Sequence, residues 1–466
     1  MRRAAFGVAV HARRMLRSVS GRRVGLLVGA GNNGGDALWA GTELRRRGVG
    51  VTAILLAPQK AHPAGLAALR RAGGRVYTAD DPAATAALTQ SDLVIDGIVG
   101  IAGRGPLRPA AAALVAAVDQ AGVPVLAVDL PSGVDPDTGA TDGPAVTAAA
   151  TVTMGARKPV HVLAAPRCGP VHLVDIGLGP HLPEPHAYVL DAADVGSRWP
   201  VPGPEDDKYT QGVTGVAAGS ATYPGAAVLA TGAAVLATSG MVRYAGAAAR
   251  EVRARWPETI ATDDIATAGR VQAWTVGPGL GTDETAARVL ATAIDAGVPL
   301  CLDADAITLL AEHADLRATL RGRPVVITPH DREFARVAGP VGTDRIAAAR
   351  RAAAALGVTV LLKGHATVVA DPGGRTLVVP SPTSWPATAG SGDVLAGIIG
   401  ALLASGLPPW WAAGCAAFLH GRAALLAADD APISASRLQA AIPAAIRSVR
   451  LAARDRRTRP EDEAVR

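Results

Sequence analysis

The sequence predicts an α/β protein built as two three-layer domains, in each of which helices cover a mostly parallel sheet. Three observations predict it. Short apolar strands alternate with helix-like segments of about 10 to 15 residues, the pattern of β-α-β units. Two glycine-rich turns, Gly29-Ala30-Gly31-Asn32-Asn33-Gly34-Gly35-Asp36 and Thr388-Ala389-Gly390-Ser391-Gly392-Asp393, each follow strand-like sequence and open onto helix-like sequence in different halves of the chain. The 466 residues are 49% hydrophobic but only 3% aromatic, which suits close-packed helix-on-sheet layers better than an aromatic-rich sandwich.

In the first half, Arg23–Val28 reads as a strand, Ala37–Arg47 as a helix, Val51–Leu56 as a strand and His62–Ala72 as a helix. Leu93–Asp96 then reads as a strand, Pro109–Ala121 as a helix and Val125–Val128 as a strand that ends in Asp129-Leu130-Pro131-Ser132-Gly133. Prolines 180, 183, 185, 200, 202 and 204 follow without a sustained apolar period, the signature of a linker over 181–207. The expected domains are therefore 1–180 and 208–450. The second series runs through strands at Val213–Ala218, Ala273–Val276, Pro299–Asp303, Val325–Ile327 and Thr359–Lys363, and Gly225 to Met241 reads as a buried helix. Helices at Val394–Ser405 and Pro409–Ala428 close it, and a charged tail, 451–466, is expected to fray.

Every notable loop of the first half sits at the carboxyl end of a strand, where sheets of this kind bind ligands. The first turn formally matches the dinucleotide fingerprint G-x-G-x-x-G. A nicotinamide dehydrogenase would end its second strand in Asp or Glu, whereas this one ends in Ala57-Pro58-Gln59-Lys60. A glycine-rich turn at a helix start leaves N–H groups facing outward and favours phosphate. If three strands are neighbours, Asn33, Asp96 and Ser132 place hard oxygen ligands at one spot, suited to an alkali or alkaline-earth cation. Asp96 or Asp129 alone would read as a loop cap; beside Asn-Asn-Gly-Gly-Asp they read as a site. These residues resemble the NAD(P)H-hydrate epimerase family, over roughly 4–180, and the resemblance implies a Rossmann-like fold. It implies that the hydrated dinucleotide meets Asn32, Asn33, Gly34, Gly35 and Asp36, and the loop Gly100, Ile101, Ala102, Gly103, Arg104, Gly105 and Pro106. It also implies that Asp129 is catalytic and substrate-binding and that Asn33, Asp96 and Ser132 hold potassium. Members usually carry a further segment ahead of the part matching Met1–Ala5, so this chain is expected to start late and its epimerase half to be less stable or less active.

In the second turn, N–H groups at a helix start lie beside Asp393, an arrangement suited to phosphoryl transfer, with the carboxylate taking a proton from the attacking hydroxyl. No G-x-x-x-x-G-K-[ST] run exists, which excludes a P-loop enzyme. Tyr209–Gly212, Gly219-Ser220, Pro224–Ala226, Gly277–Gly281, Leu302–Ala306, Thr328–Glu333 and Leu361–Thr367 precede the turn in order. The series resembles ADP-dependent NAD(P)H-hydrate dehydratases, over roughly 190–450, and the turn resembles the anion hole of ribokinase-like enzymes. The resemblance implies a ribokinase-like second domain in which Ala226, Gly279, Gly281, His330 and Asp393 face the hydrate. Lys363, Gly364, His365, Ala366, Thr367 and Gly392 would face ADP, with magnesium accompanying the nucleotide. His330 also reads as a polar helix cap, Lys363 as an ordinary strand-end lysine, and Asp303 and Asp305 as loop residues.

Together the resemblances imply nicotinamide nucleotide repair. The first domain would interconvert R and S hydrates of NADH and NADPH. The second would dehydrate the S form with ADP, giving AMP and phosphate. Two other readings stay open: a ribokinase-like kinase of a small alcohol or vitamin with an accessory domain, and a non-catalytic nucleotide- or RNA-binding scaffold.

Composition narrows the setting. The net charge of +6 is concentrated near the two ends, which reads as solvated basic termini rather than a nucleic-acid surface. Cys168, Cys301 and Cys415 are widely spaced, indicate neither disulfides nor zinc, and fit a cytoplasmic, reducing setting. The expected partners are NADHX, NADPHX and ADP, with neither membrane nor nucleic acid, and the chain is expected to form a homo-oligomer.

Overall fold

The computed structural model describes residues 1–238 and 240–458. The contacts divide the chain into two units, Met1–Pro185 and His186–Arg466.

In the first unit the Val- and Leu-rich runs become buried parallel strands: β1 (Arg23–Val28), β2 (Gly50–Leu55), β3 (Arg75–Thr78), β4 (Leu93–Gly97), β5 (Val125–Val128), β6 (Ala150–Met154) and β7 (Val171–Val174). Their order is β3-β2-β1-β4-β5-β6-β7, so the chain reverses its direction of winding between β1 and β4. Ligand crevices form outside the strand ends at such a reversal. Alternation of side chains sends Val24, Leu26 and Val28 into a core with α1 (Arg2–Leu16) and α2 (Asn32–Arg46), and Leu27 into a second core with the helices Ala83–Thr89 and Pro109–Gln120. The helix α1 buries Ala4, Ala5, Val8, Ala9, Ala12 and Leu16, one apolar stripe at helical spacing.

The second unit carries β8 (Val213–Ala217), β9 (Met241–Ala245), β10 (Ile260–Thr262), β11 (Ala273–Val276), β12 (Leu300–Leu302), β13 (Val325–Ile327), β14 (Thr359–Leu362), β15 (Ala366–Ala370) and β16 (Thr376–Pro380). The order is β10-β9-β8-β11-β12-β13-β14-β15-β16, parallel up to β14 and antiparallel across the last two pairs. The helices Pro224–Leu236 and Ser391–Ala404 pack on each other, and the second also packs on β8, β11 and β12. Pro409–Ala428 is long and apolar enough to cross a membrane, with a mean hydropathy of 1.2, yet 56% of that window is buried, as in a core helix.

The structure departs from the sequence reading in several places. Strands β3, β6, β7, β9, β10, β15 and β16 are too short or too mixed to show a clear period. The helix read as Gly225 to Met241 ends at Leu236, because Met241 already begins β9. The helices after both glycine turns begin early, at Asn32 and Ser391, so Asn32–Asp36 and Ser391–Asp393 are first-turn residues and not a preceding loop. Glycine and asparagine are tolerated there because first-turn N–H groups have no helical partner to lose.

Within 181–207 lies a helix, Ala192–Arg198, with a capping box between Asp191 and Asp194, and Leu190, Val195 and Trp199 are buried in the second unit's core. Of the tail 451–466, the part up to Thr458 is not frayed but ends the helix Ile442–Thr458; residues 459–466 lie outside the described residues. Its Arg456 pairs with Asp191 and, at 2.9 Å, with Asp194, and the last helix packs along Ala192–Arg198.

Candidate active sites

In the first unit, Gly34 lets α2 sit directly on the end of β1: a Cβ there would lie 2.3 Å from the Gly29 carbonyl oxygen. That contact brings Asn33 over the strand ends. Its Nδ2 donates to Val99 O and Val128 O, both at 2.8 Å, tying the loop after β4 to the end of β5. Asp96, fully buried, accepts from Ser132 Oγ and Ser132 N at 2.8 Å and from Ile98 N at 3.1 Å. Ser132 Oγ in turn accepts from Val99 N at 3.1 Å. Asn33, Asp96 and Ser132 therefore meet around Val99. Burial pushes the Asp96 carboxyl up to about 6, against the lowering by its Ser132 and Ile98 bonds.

Asp36, in the same turn as Asn33, is buried, and its Oδ1 has no hydrogen-bond partner. Burial pushes it up to about 6; the amino-terminal charge opposes that and Asp129 adds to it. Asn32 is exposed, whereas Gly34 and Gly35 are buried in packing. The loop from Gly100 to Pro106 is largely exposed, with Ile101, Ala102, Gly105 and Pro106 open. Its Arg104 donates to Ile101 O, Gly103 O and Asp137 Oδ2, all at 2.8 Å, so its guanidinium braces the loop.

Asp129 follows β5 in the left-handed region, with φ 72°, a conformation uncommon for a residue with a side chain. Three residues absent from the sequence reading hold it. Lys158 Nζ lies 2.5 Å and Thr153 Oγ1 3.0 Å from Asp129 Oδ1, and His161 Nε2 lies 2.7 Å from the Asp129 carbonyl oxygen. The available signal was a lysine just after the strand Ala150–Met154, which the sequence reading missed because the strand is short.

In the second unit a cavity of about 630 Å³ opens at the ends of β12 to β14. Asp303, His330, Lys363, Gly364, His365, Thr367, Gly392 and Asp393 line it. Ala366 is instead buried at the start of β15. Ala226, Gly279 and Gly281 are not among the lining residues; the first two are neighbours, and Gly281 N donates to Asp305 Oδ2 at 2.8 Å. His330 does cap its helix, since its ring accepts from Arg332 N and Glu333 N, and it also faces the cavity.

Lys363 Nζ lies 2.8 Å from Asp303 Oδ1 and 3.7 Å from Glu333 Oε2. Burial disfavours the lysine charge, but Asp303 and Glu333 outweigh it and hold the ammonium above its ordinary value. Asp393 stands in the first turn of its helix, and burial, helped by Asp303 and Asp305, pushes it up to about 7. A carboxyl so poised exchanges protons near neutrality. Sequence reasoning did not single out Glu333, although its spacing after His330 is that of a capping box, nor the wall Ser381–Pro386 or His420. His420 Nε2 is 2.9 Å from Ser391 O, and burial drops the ring to about 4.

Comparison with known proteins places both halves. Residues 214–444 match the family model described as NAD(P)H-hydrate dehydratase, and residues 1–160 match that of the YjeF-related protein N-terminus. The chain is 59% identical to the bifunctional NAD(P)H-hydrate repair enzyme Nnr of Mycobacterium tuberculosis strain H37Rv, over 96% of this chain and 94% of that one. It is 57% identical to the protein of the same description from Mycobacterium leprae, at the same coverage. The one from Corynebacterium glutamicum is 37% identical, over 91% of this chain and 89% of that one. Among solved structures, a ribokinase-like superfamily protein from Enterococcus faecalis V583 aligns with a TM-score of 0.53 and 25% identity, over 57% of this chain and 98% of its own.

Proposed function

The chain belongs to the family of bifunctional NAD(P)H-hydrate repair enzymes, and from that premise we propose how its two units divide the chemistry. It is an enzyme with an epimerase domain in the first unit and a ribokinase-like dehydratase domain in the second.

In the second unit, Asp393 takes the proton of the C6 hydroxyl of the S hydrate as that oxygen attacks the β-phosphorus of ADP and AMP departs. The ring nitrogen lone pair then expels phosphate, and loss of the C5 proton restores the double bond. N–H groups at the start of the helix Ser391–Ala404 and Lys363 face the transferring phosphoryl group. Asp393 carries this reading: a carboxyl raised to about 7 at a helix start, lining a cavity that also holds a lysine. No group of three or more His, Cys, Asp or Glu able to hold a metal occurs among the described residues. We propose that magnesium arrives on the nucleotide, with Asp303, which lines the cavity, as its protein contact, because magnesium usually needs only one or two carboxylates beside the phosphates. The ion would neutralise phosphate charge.

In the first unit we assign Asp129 the proton transfers at C6. Asp96 is a buried carboxylate whose bonds come from Ser132 and Ile98, none of them cationic, and with Asn33 and Ser132 it offers an all-oxygen set. This fits a monovalent cation, and we infer potassium there, fixing the dinucleotide phosphates against α2. The substrates are NADHX, NADPHX and ADP. The buried free thiols of Cys168, Cys301 and Cys415 fit a reducing cytoplasm, and self-association of the chain is part of this proposal. The deciding experiment supplies separately purified R and S hydrates with ADP or ATP. S hydrate is consumed directly, and R hydrate only through the first unit. Failure to release AMP from ADP, with turnover of a vitamin alcohol instead, would favour a kinase.

A further inference from the structure

A carboxyl that delivers a proton to C6 needs a donor to supply it, and Asp129 has one in direct contact. Its Oδ1 accepts from Lys158 Nζ at 2.5 Å and from Thr153 Oγ1 at 3.0 Å, while Lys158 Nζ also donates to Thr153 Oγ1 at 2.7 Å and to Met154 O at 3.1 Å. The three side chains close a ring, with the ammonium, hydroxyl and carboxylate in mutual contact. Both members of the ion pair are largely out of solvent, their side chains 19% and 11% exposed.

One imidazole then fixes both backbones. Lys158 N donates to His161 Nδ1 at 3.0 Å, so that the other ring nitrogen, Nε2, carries the proton and donates to the Asp129 carbonyl oxygen at 2.7 Å. That bond helps to keep Asp129 at φ 72°, from which its carboxylate meets the ammonium. A salt bridge serving stability alone would need neither the strained backbone nor the histidine clamp.

We propose that Lys158 is the proton source of epimerisation, lending its proton to substrate through Asp129. The inference rests on the epimerase reading of the first unit. A proton passes from Lys158 Nζ to the Asp129 carboxylate, directly or across Thr153. Asp129 passes it to the C6 oxygen as the C6–O bond breaks, the bond's electron pair leaving on oxygen as water, while the ring nitrogen lone pair forms the C6–N double bond. Water adds to the opposite face and loses a proton to Asp129, which returns it to Lys158. No proton is gained or lost overall, and no co-reactant is needed.

The test compares Lys158→Ala and Lys158→Arg in the full chain, measuring R-hydrate conversion with the chain's own dehydration of S hydrate as the coupled step. Arginine keeps the positive charge and the contact but does not give up its proton. Both variants are expected to lose epimerisation by about 100-fold or more while dehydrating S hydrate normally. Added ethylammonium is expected to restore the alanine variant by about tenfold or more and to leave the arginine variant unchanged. Near wild-type epimerisation in the arginine variant would show that charge alone suffices and would overturn the inference, as would an alanine variant that ethylammonium does not restore. A wild-type chain that consumes S hydrate but never R hydrate would instead overturn the epimerase reading itself, and this inference with it.

Discussion

Lys363 Nζ lies 2.8 Å from Asp303 Oδ1, so the lysine lining the second unit's cavity is bound to one carboxylate and leaves a second, Asp393, short of compensation. Asp303 is 2% exposed and also accepts from Thr328 Oγ1 at 2.7 Å, which fixes its orientation toward the lysine. Burial is the largest cause raising Asp393, and Asp303 and Asp305 add repulsion that Lys363 only partly offsets.

The first consequence is catalytic. Asp393→Asn removes the group proposed to accept the hydroxyl proton without changing its shape, and dehydration of S hydrate is expected to fall by about 100-fold or more. Conversion of R to S hydrate should persist. Steady-state assays of the two reactions check both parts, and dehydration within about threefold of wild type would remove Asp393 from the mechanism.

The same shift carries a sign for stability. A carboxyl raised to about 7 in the folded state favours folding while it stays protonated and loses that contribution as pH rises through about 7. A side-chain amide at that position has nothing to ionise. The Asp393→Asn variant should therefore melt at a higher temperature than wild type above pH 7, with the difference shrinking as pH falls toward the ordinary carboxylate range. Melting curves across that range test it, and a difference that grows on acidification would contradict the assignment.

Potassium dependence should be confined to the first unit. Potassium is expected to support epimerisation better than lithium, because a set of Asn33, Asp96 and Ser132 oxygens suits a larger, weakly hydrated ion. Asp96→Asn should abolish the difference and lower epimerisation, leaving dehydration of S hydrate unaffected. Equal rates in the two salts would sink the proposed site.

The first helix is a packed element of its unit. Leu16, 5% exposed, sits in the core shared with α2 and β1. Leu16→Ala should cost about 2 to 4 kcal/mol of that unit's stability through lost burial and a residual cavity. Denaturant unfolding would measure it, and epimerisation should fail at lower temperature while dehydration holds.

The sequence by itself determined the α/β class, the two glycine turns and most of the strands that bear the sites, because apolar strands and G-x-G turns announce themselves locally through period and composition. It also brought Asp96, Asp129, Asp393 and Lys363 into consideration, since each ends a strand or opens a helix. What it left undetermined is contact across the sheet. Lys158 lies 29 residues from Asp129, and Lys363 lies 60 from Asp303. Only strand order decides that such residues meet: β6 lies beside β5, and β14 is reached from β12 through β13. Tertiary structure likewise made the helix Ala192–Arg198 part of the second unit, because burial of Leu190, Val195 and Trp199 in its core outweighs a proline-rich composition. The strength of a proton site depends on burial and on neighbouring charge, and neither is written at the residue's own position in the chain.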